Sequence, residues 1–124
     1  MDAAYVFRVR FRLDTQRGVR TAPRTFETVV EVPAAEPGED GWLFFRDTLW
    51  RGDVNDERHA RELAEDWLSV PVDSVSFSEL RADEAYVEAM DAEIAEQLDL
   101  FNADAVYEVR HKYLGSSIRV EETE

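Results

Sequence analysis

Three features of the sequence predict an α+β fold, an antiparallel sheet built on an amino-terminal hairpin and packed on one face by three to four helices. Two stretches near the amino terminus alternate apolar and polar residues with the two-residue period of a half-buried strand. Four later stretches space their apolar residues as a helix with one buried stripe does. The chain has 124 residues, which suits one domain spanning residues 1–124, and a chain of this size can bury a core without disulfides or metals.

Residues 4 to 13, AYVFRVRFRL, send Tyr5, Phe7, Val9, Phe11 and Leu13 one way and Val6, Arg8, Arg10 and Arg12 the other. Residues 25 to 33, TFETVVEVP, put Phe26, Thr28, Val30 and Val32 on one face and Glu27, Val29 and Glu31 on the other. The connection between them is long for a hairpin and is expected to be mobile. PAAEPGEDG reads as a loop by its prolines and glycines. Residues 41 to 51 read as a helix capped by Asp40 and stopped by Gly52, with Trp42, Phe45 and Leu49 on one stripe and Leu43 and Trp50 widening it. DVND breaks the chain, and Asn55 or Asp56 caps a second helix whose stripe is Ala60, Leu63, Ala64, Trp67 and Leu68. SVPV ends that helix. DSVSFSEL is a third strand with Val75 and Phe77 inward. Asp83 caps a helix over 84–101 with the stripe Val87, Met90, Ile94, Leu98 and Phe101. Asn102 interrupts it and caps a last helix over 103–114, with Val106, Val109 and Tyr113 inward and Gly115 as its stop. SSIRVEE is a short final strand, and the two later strands are expected to join the sheet.

Charge is the strongest compositional signal. The chain carries 28 acidic and 14 basic residues, a net charge of −14, and Lys112 is its one lysine. Seven Phe, four Tyr and three Trp at regular spacings argue for a folded acidic domain over a disordered one. Such a domain repels itself. Salt near about 1 M shortens the screening length to about 3 Å and removes most of that repulsion. A high-salt interior is therefore the favoured reading; an ordinary acidic protein from an arginine-favouring genome is the other. Cysteine is absent, which excludes disulfides, thiolate metal sites and a cysteine nucleophile. No stretch approaches the roughly 20 apolar residues of a membrane span. MDAAYVFRVRF has neither the basic leader nor the apolar core of a signal peptide. The expectation is a soluble cytoplasmic protein with no membrane partner.

With DTLWRGDVND and HKYLGSSIRV, the chain resembles the LWR-salt proteins, small proteins of halophilic archaea named for the triplet seen here as Leu49-Trp50-Arg51. The resemblance extends over nearly the whole chain. It implies a salt-rich haloarchaeal cytoplasm and no particular activity, so no catalytic residue is carried over from it.

Several positions are candidates for binding. Arg51 follows Asp47 by four residues, the favourable order for a helical ion pair, and stands in the last turn, where a cation is welcome. With Leu49 and Trp50 as core, this explains the run as a helix end; the functional alternative makes Arg51 an anchor for an anion or carboxylate on a partner. Arg46 is four residues from each of Trp42 and Trp50, so its guanidinium can stack against both rings, or its stem can cover indole surface. An Arg–Trp patch of this kind is enriched at interface hot spots. Arg8, Arg10 and Arg12 line one strand face, and residues 1–24 hold six Arg against Asp2 and Asp14. They suit a nucleic-acid track, an acidic protein partner, or pairing with Glu27 and Glu31 across the sheet. Cross-strand pairing is favoured, because high salt weakens phosphate contacts and no aromatic residues interleave on that face.

Catalytic and metal readings are thin. His59, Glu62 and Asp66 share one side of the second helix, as residues on any solvated acidic face do. His111 beside Lys112 suits a helix end. Gly115-Ser116-Ser117 follows a helix and leads into a strand, unlike a nucleophile elbow. No phosphate-binding glycine loop is present. No catalytic residue, metal ligand or cofactor is assigned. The leading functional expectation is a non-enzymatic module that binds a protein partner through its Arg–Trp surface. A nucleic-acid-associated regulator using the arginine hairpin comes next. An enzyme built on scattered carboxylates, His111 and Tyr113 comes last.

Overall fold

Alternation in the first strand sets the sheet. The computed structural model describes residues 1–13 and 24–121; the connection expected to be mobile, residues 14–23, lies outside them. β1 (Ala3–Leu13) and β2 (Arg24–Pro33) pair antiparallel, from Ala4 with Pro33 to Leu13 with Arg24. Tyr5, Phe7 and Val9 are buried, while Arg8, Arg10 and Arg12 are exposed. Val6 departs from the pattern. It lies on the arginine face yet is buried, set between Glu31 of β2 and Glu79 of the strand on the other side.

β5 (Val72–Asp83) pairs antiparallel with the other edge of β1 and is longer than the expected strand. Its register shifts between Val6 and Phe7 and again between Arg10 and Phe11 of β1, leaving Ser78 and Asp73 as bulged residues. Each bulge turns an inward step of two residues into three, so Val72, Val75, Phe77, Leu80 and Ala82 all face the core. β6 (Ile118–Glu121) completes the order β2-β1-β5-β6. It runs parallel to β5, a correction to the all-antiparallel expectation, because the chain returns through a long helical crossover.

The helices cover the face that carries Tyr5 and Phe7. α2 (Glu57–Leu68) is capped by Asp56, whose carboxylate accepts the His59 N–H at 3.2 Å, and it lays Trp67 against Phe7. α3 (Glu84–Glu96) is capped by Asp83, which accepts the Tyr86 N–H at 2.8 Å. The expected helix over 84–101 ends early in a 3-10 turn, Leu98–Phe101, closed by Asn102 with φ of 50°. Asn102 thus finishes one element instead of capping the next, because asparagine tolerates the left-handed backbone. α4 runs from Val106 to Leu114, starting three residues later than expected.

The largest correction concerns residues 41–51. They are not one helix capped by Asp40. Only α1 (Phe44–Thr48) is helical, and its cap position, Leu43, makes no side-chain cap bond. β3 (Leu49–Trp50) and β4 (Asp53–Val54) then form a small hairpin of their own. The apolar stripe nevertheless reads correctly: Trp42, Phe45 and Leu49 are all buried.

Candidate functional site

The hairpin turns on two residues, Arg51 and Gly52, with φ of 51° and 85°. Positive φ at both central positions is what the tight type I′ turn of a two-residue hairpin requires. Gly52 meets this at no steric cost, while Arg51 needs compensation. The compensation comes from α4. The Arg51 N–H donates to the Lys112 carbonyl at 2.7 Å, and the Gly52 N–H donates to the Tyr113 carbonyl at 3.0 Å. The His111 and Leu114 carbonyls accept from Gly115 and Ser117. All four carbonyls that a helix end leaves without helical partners are therefore satisfied, two of them by the hairpin turn.

Close backbone approach makes the joint possible. A Cβ on Gly52 would stand 3.2 Å from the Leu114 carbonyl oxygen, and one on Gly115 would stand 3.3 Å from the Arg51 carbonyl. Leu49 and Leu114 are fully buried beside it. Tyr113 faces inward, packing edge-on against Phe45, Phe101 and Trp50 at centroid distances of 5.8, 6.1 and 6.0 Å. The two stretches that carry the family resemblance, LWRG and KYLGSS, are the two halves of this one joint.

What the joint presents outward is aromatic and cationic. Trp50 is 44 % exposed and Tyr107 is 77 % exposed. Trp50, Arg51, Asn102, Tyr107, Glu108, His111 and Lys112 line an open groove of about 410 Å³. The Arg51 guanidinium lies 5.6 Å from the Trp50 ring centroid. Lys112 Nζ donates to the Phe101 carbonyl at 2.9 Å and lies 5.8 Å from the Tyr113 ring. Among the described residues, neither Arg51 nor Lys112 has a carboxylate within ion-pair distance.

Several sequence expectations change here. The Asp47–Arg51 pair does not form, because Arg51 has left the helix; Asp47 pairs with Arg46 at 3.1 Å. Arg46 therefore does not bridge Trp42 and Trp50, and the cation over Trp50 is Arg51. Trp50 is surface, not core. Tyr113 is buried on the inner side of α4 while His111 is exposed on the outer side, so the two do not converge as an enzyme site would need. His59, Glu62 and Asp66 are all exposed on α2, and among the described residues no three His, Asp or Glu side chains gather as metal ligands would.

Arg8, Arg10 and Arg12 lie elsewhere, on the open face of the sheet. Arg8 and Arg10 reach Glu27 at 3.5 and 3.9 Å, and Arg12 reaches Asp73 at 2.7 Å. Glu31 does not join them; it pairs with Arg81 of β5, which also reaches Glu121 at 3.7 Å. The Arg81 guanidinium holds the Glu31 carboxyl below its ordinary range. Arg119 pairs with Glu79 and Glu121. At the end of the sheet, backbone N–H groups of Asp2 and Tyr86 hold the Asp83 carboxyl low. In the core, burial pushes the Tyr5 phenol up and raises Tyr86 to about 12.

Sequence reasoning missed Tyr107 and Lys112 as parts of the groove. The signal was available for Tyr107: with Val106, Val109 and Tyr113 inward, helical spacing sets Tyr107 and His111 together on the outer face. The chain matches no curated protein and no solved structure. The family model for the LWR-salt protein matches residues 1–124, and the chain belongs to that family.

Proposed function

We propose that this LWR-salt protein is a non-enzymatic protein-interaction module of a salt-rich cytoplasm, with the Trp50–Arg51 corner as its contact surface. The observation that carries this reading is the exposure of Trp50 and Arg51 on a backbone locked to α4. A partner would meet a preorganised aromatic and guanidinium pair, the residue types that dominate interface energetics. Concentrated salt screens bare charge, so a working surface there needs apolar area as well, and Trp50 and Tyr107 supply it. The same salt would quiet the repulsion among the surplus carboxylates. The arginine strand is the weaker surface, since Arg8, Arg10 and Arg12 would have to surrender Glu27 and Asp73 before gripping a phosphate.

Affinity capture in molar KCl tests this reading, comparing wild type with Trp50→Ala and with the triple change of Arg8, Arg10 and Arg12 to Ser. The expected result is one identified protein partner, lost with Trp50→Ala and kept by the triple variant. A nucleic-acid ligand lost only in the triple variant would replace this reading with the regulator. For the salt claim, the melting temperature in molar KCl is expected to exceed that in dilute buffer; equal values would contradict it.

A further inference from the structure

Resting on the interaction reading, we propose that the groove at the hairpin–α4 joint takes an acidic peptide segment of the partner, with a carboxylate side chain set beside an apolar one. Arg8, Arg10, Arg12, Arg46, Arg58, Arg81, Arg110 and Arg119 each hold a carboxylate. Among the described residues two arginines hold none: Arg61 of α2, which lines neither this groove nor the cleft beside it, and Arg51, although Asp47 and Asp53 lie close by in sequence. Both are diverted. Asp47 takes Arg46 at 3.1 Å. Asp53 Oδ1 accepts the N–H groups of Val54 and Phe77 at 2.8 and 3.1 Å. Glu108, the one carboxylate among the groove's lining residues, accepts the Asp104 N–H at 2.7 Å.

The groove thus keeps its donors for a visitor. Arg51 offers a planar fork suited to a carboxylate. Lys112 spends one N–H on the Phe101 carbonyl, and an ammonium has three. Trp50 and Tyr107 line the same groove as these cations and offer flat apolar surface. A second cleft of about 270 Å³ shares Tyr107 and His111 and continues past Gly115 to Ile118, so an extended segment has room to run on. Charge complementarity selects the class of occupant. Most of this chain's surface repels an acidic segment, which favours the place where two cations without carboxylate partners stand together beside exposed aromatic rings. Apolar contact with Trp50 and Tyr107 would exclude water from the Arg51–carboxylate bond and let it survive in salt.

The test uses the isotope-labelled full chain in molar KCl and follows its amide and indole N–H resonances. The probe is a short peptide in which two carboxylate side chains flank a leucine; its twin replaces both acids by amides. The acidic peptide is expected to shift the Trp50 indole and the Tyr107, His111 and Lys112 amides saturably, with the twin at least about tenfold weaker. Arg51→Gln keeps the backbone bond to Lys112, so it is expected to melt like wild type yet bind the acidic peptide about tenfold more weakly. Tyr107→Ser, at a largely exposed position, is expected to weaken binding without moving the melting temperature. Equal binding of the twin at these residues would overturn the acidic inference while leaving the interaction reading in place. Shifts at these residues that grow with protein concentration alone would assign the groove to a second copy and overturn it. A groove silent to both peptides, while a single-stranded oligonucleotide shifts Arg8 to Arg12, would overturn the inference and the interaction reading together.

Discussion

On the open face of the sheet, five arginines stand against carboxylates of neighbouring strands; at the turn between β3 and β4, Arg51 stands against a tryptophan and, among the described residues, no carboxylate. The sheet face comes from straight alternation. Its charged residues are exposed or half-buried, and such pairs contribute little in water and less in salt. The hairpin corner comes from close backbone packing, and its polar groups are main-chain groups committed to α4. The two regions teach that side-chain type does not decide what an arginine does here. On the sheet the backbone is held by the ladder, and the side chain is left to find a neighbour. At the corner the backbone is held by a helix end, and the side chain is aimed outward while nearby acids are occupied.

Neighbouring residues of one motif offer the sharpest way to break this comparison. Leu49→Ala is expected to cost about 2–5 kcal/mol, as buried leucine truncations do, and Leu114→Ala the same. Trp50→Ala is expected to cost about 1 kcal/mol, mostly its edge-on contact with Tyr113. Denaturant melts in KCl read both, and similar costs at Leu49 and Trp50 would mean that Trp50 is core after all. Next in size are the glycines. Gly115→Ala sets a Cβ against Arg51 at a φ of 61°, with an expected cost of about 1–3 kcal/mol. Gly52→Ala should cost a similar amount, and the double variant should cost less than the sum, because both open one contact.

Acid separates the regions differently. The Glu31 and Asp83 carboxyls sit below their unfolded values, so the folded state binds those protons more weakly. The stability they contribute is fully present above the unfolded carboxylate range and is lost as pH falls through the lowered values. Asp91 of α3 runs the other way: burial raises it, against the pull of Arg110, so its carboxyl favours the fold more once protonated. Melting temperature against pH is expected to fall on the acid side, and Glu31→Gln with Asp83→Asn should flatten that limb. The smallest effect belongs to the sheet pairs. Arg12→Gln should cost below about 1 kcal/mol in dilute buffer and less in molar KCl. A cost that grows with salt would show that the pair is more than a solvated contact.

Much of this was legible in the sequence because two periods carry most of the burial. The two-residue period placed Tyr5, Phe7 and Val9 inward, and the helical period found Ala60, Ala64, Met90 and Ile94. The cap Asp83 followed from side-chain chemistry alone, and Asp56 was one of two candidates it offered, beside Asn55. The hairpin was illegible for a physical reason. Trp42, Phe45 and Leu49 satisfy helical spacing with no breaker before Gly52, and a strand pair two residues long has no alternation to read. Arg51 at positive φ carries no turn signature, since its conformation is sustained by α4, more than fifty residues away in sequence. Gly52 was expected as a helix stop, and its positive φ serves a hairpin turn instead. The bulges at Ser78 and Asp73 hid the full length of β5 in the same way, by shifting its phase. As for the candidate groove, Arg51 and Trp50 were named from sequence, while their union with Tyr107 and Lys112 required the tertiary joint.

That joint is open to direct measurement by native-state amide exchange. The N–H groups of Arg51 and Gly52 occupy a hairpin apex, where exchange is ordinarily fast, yet here they bond to the last turn of α4. They are expected to exchange as slowly as the Val109 and Tyr113 amides, and to speed up together with them in Gly115→Ala. Free exchange at Arg51 and Gly52 while α4 stays protected would contradict the account, and with it the claim that the helix end holds Trp50 and Arg51 in place.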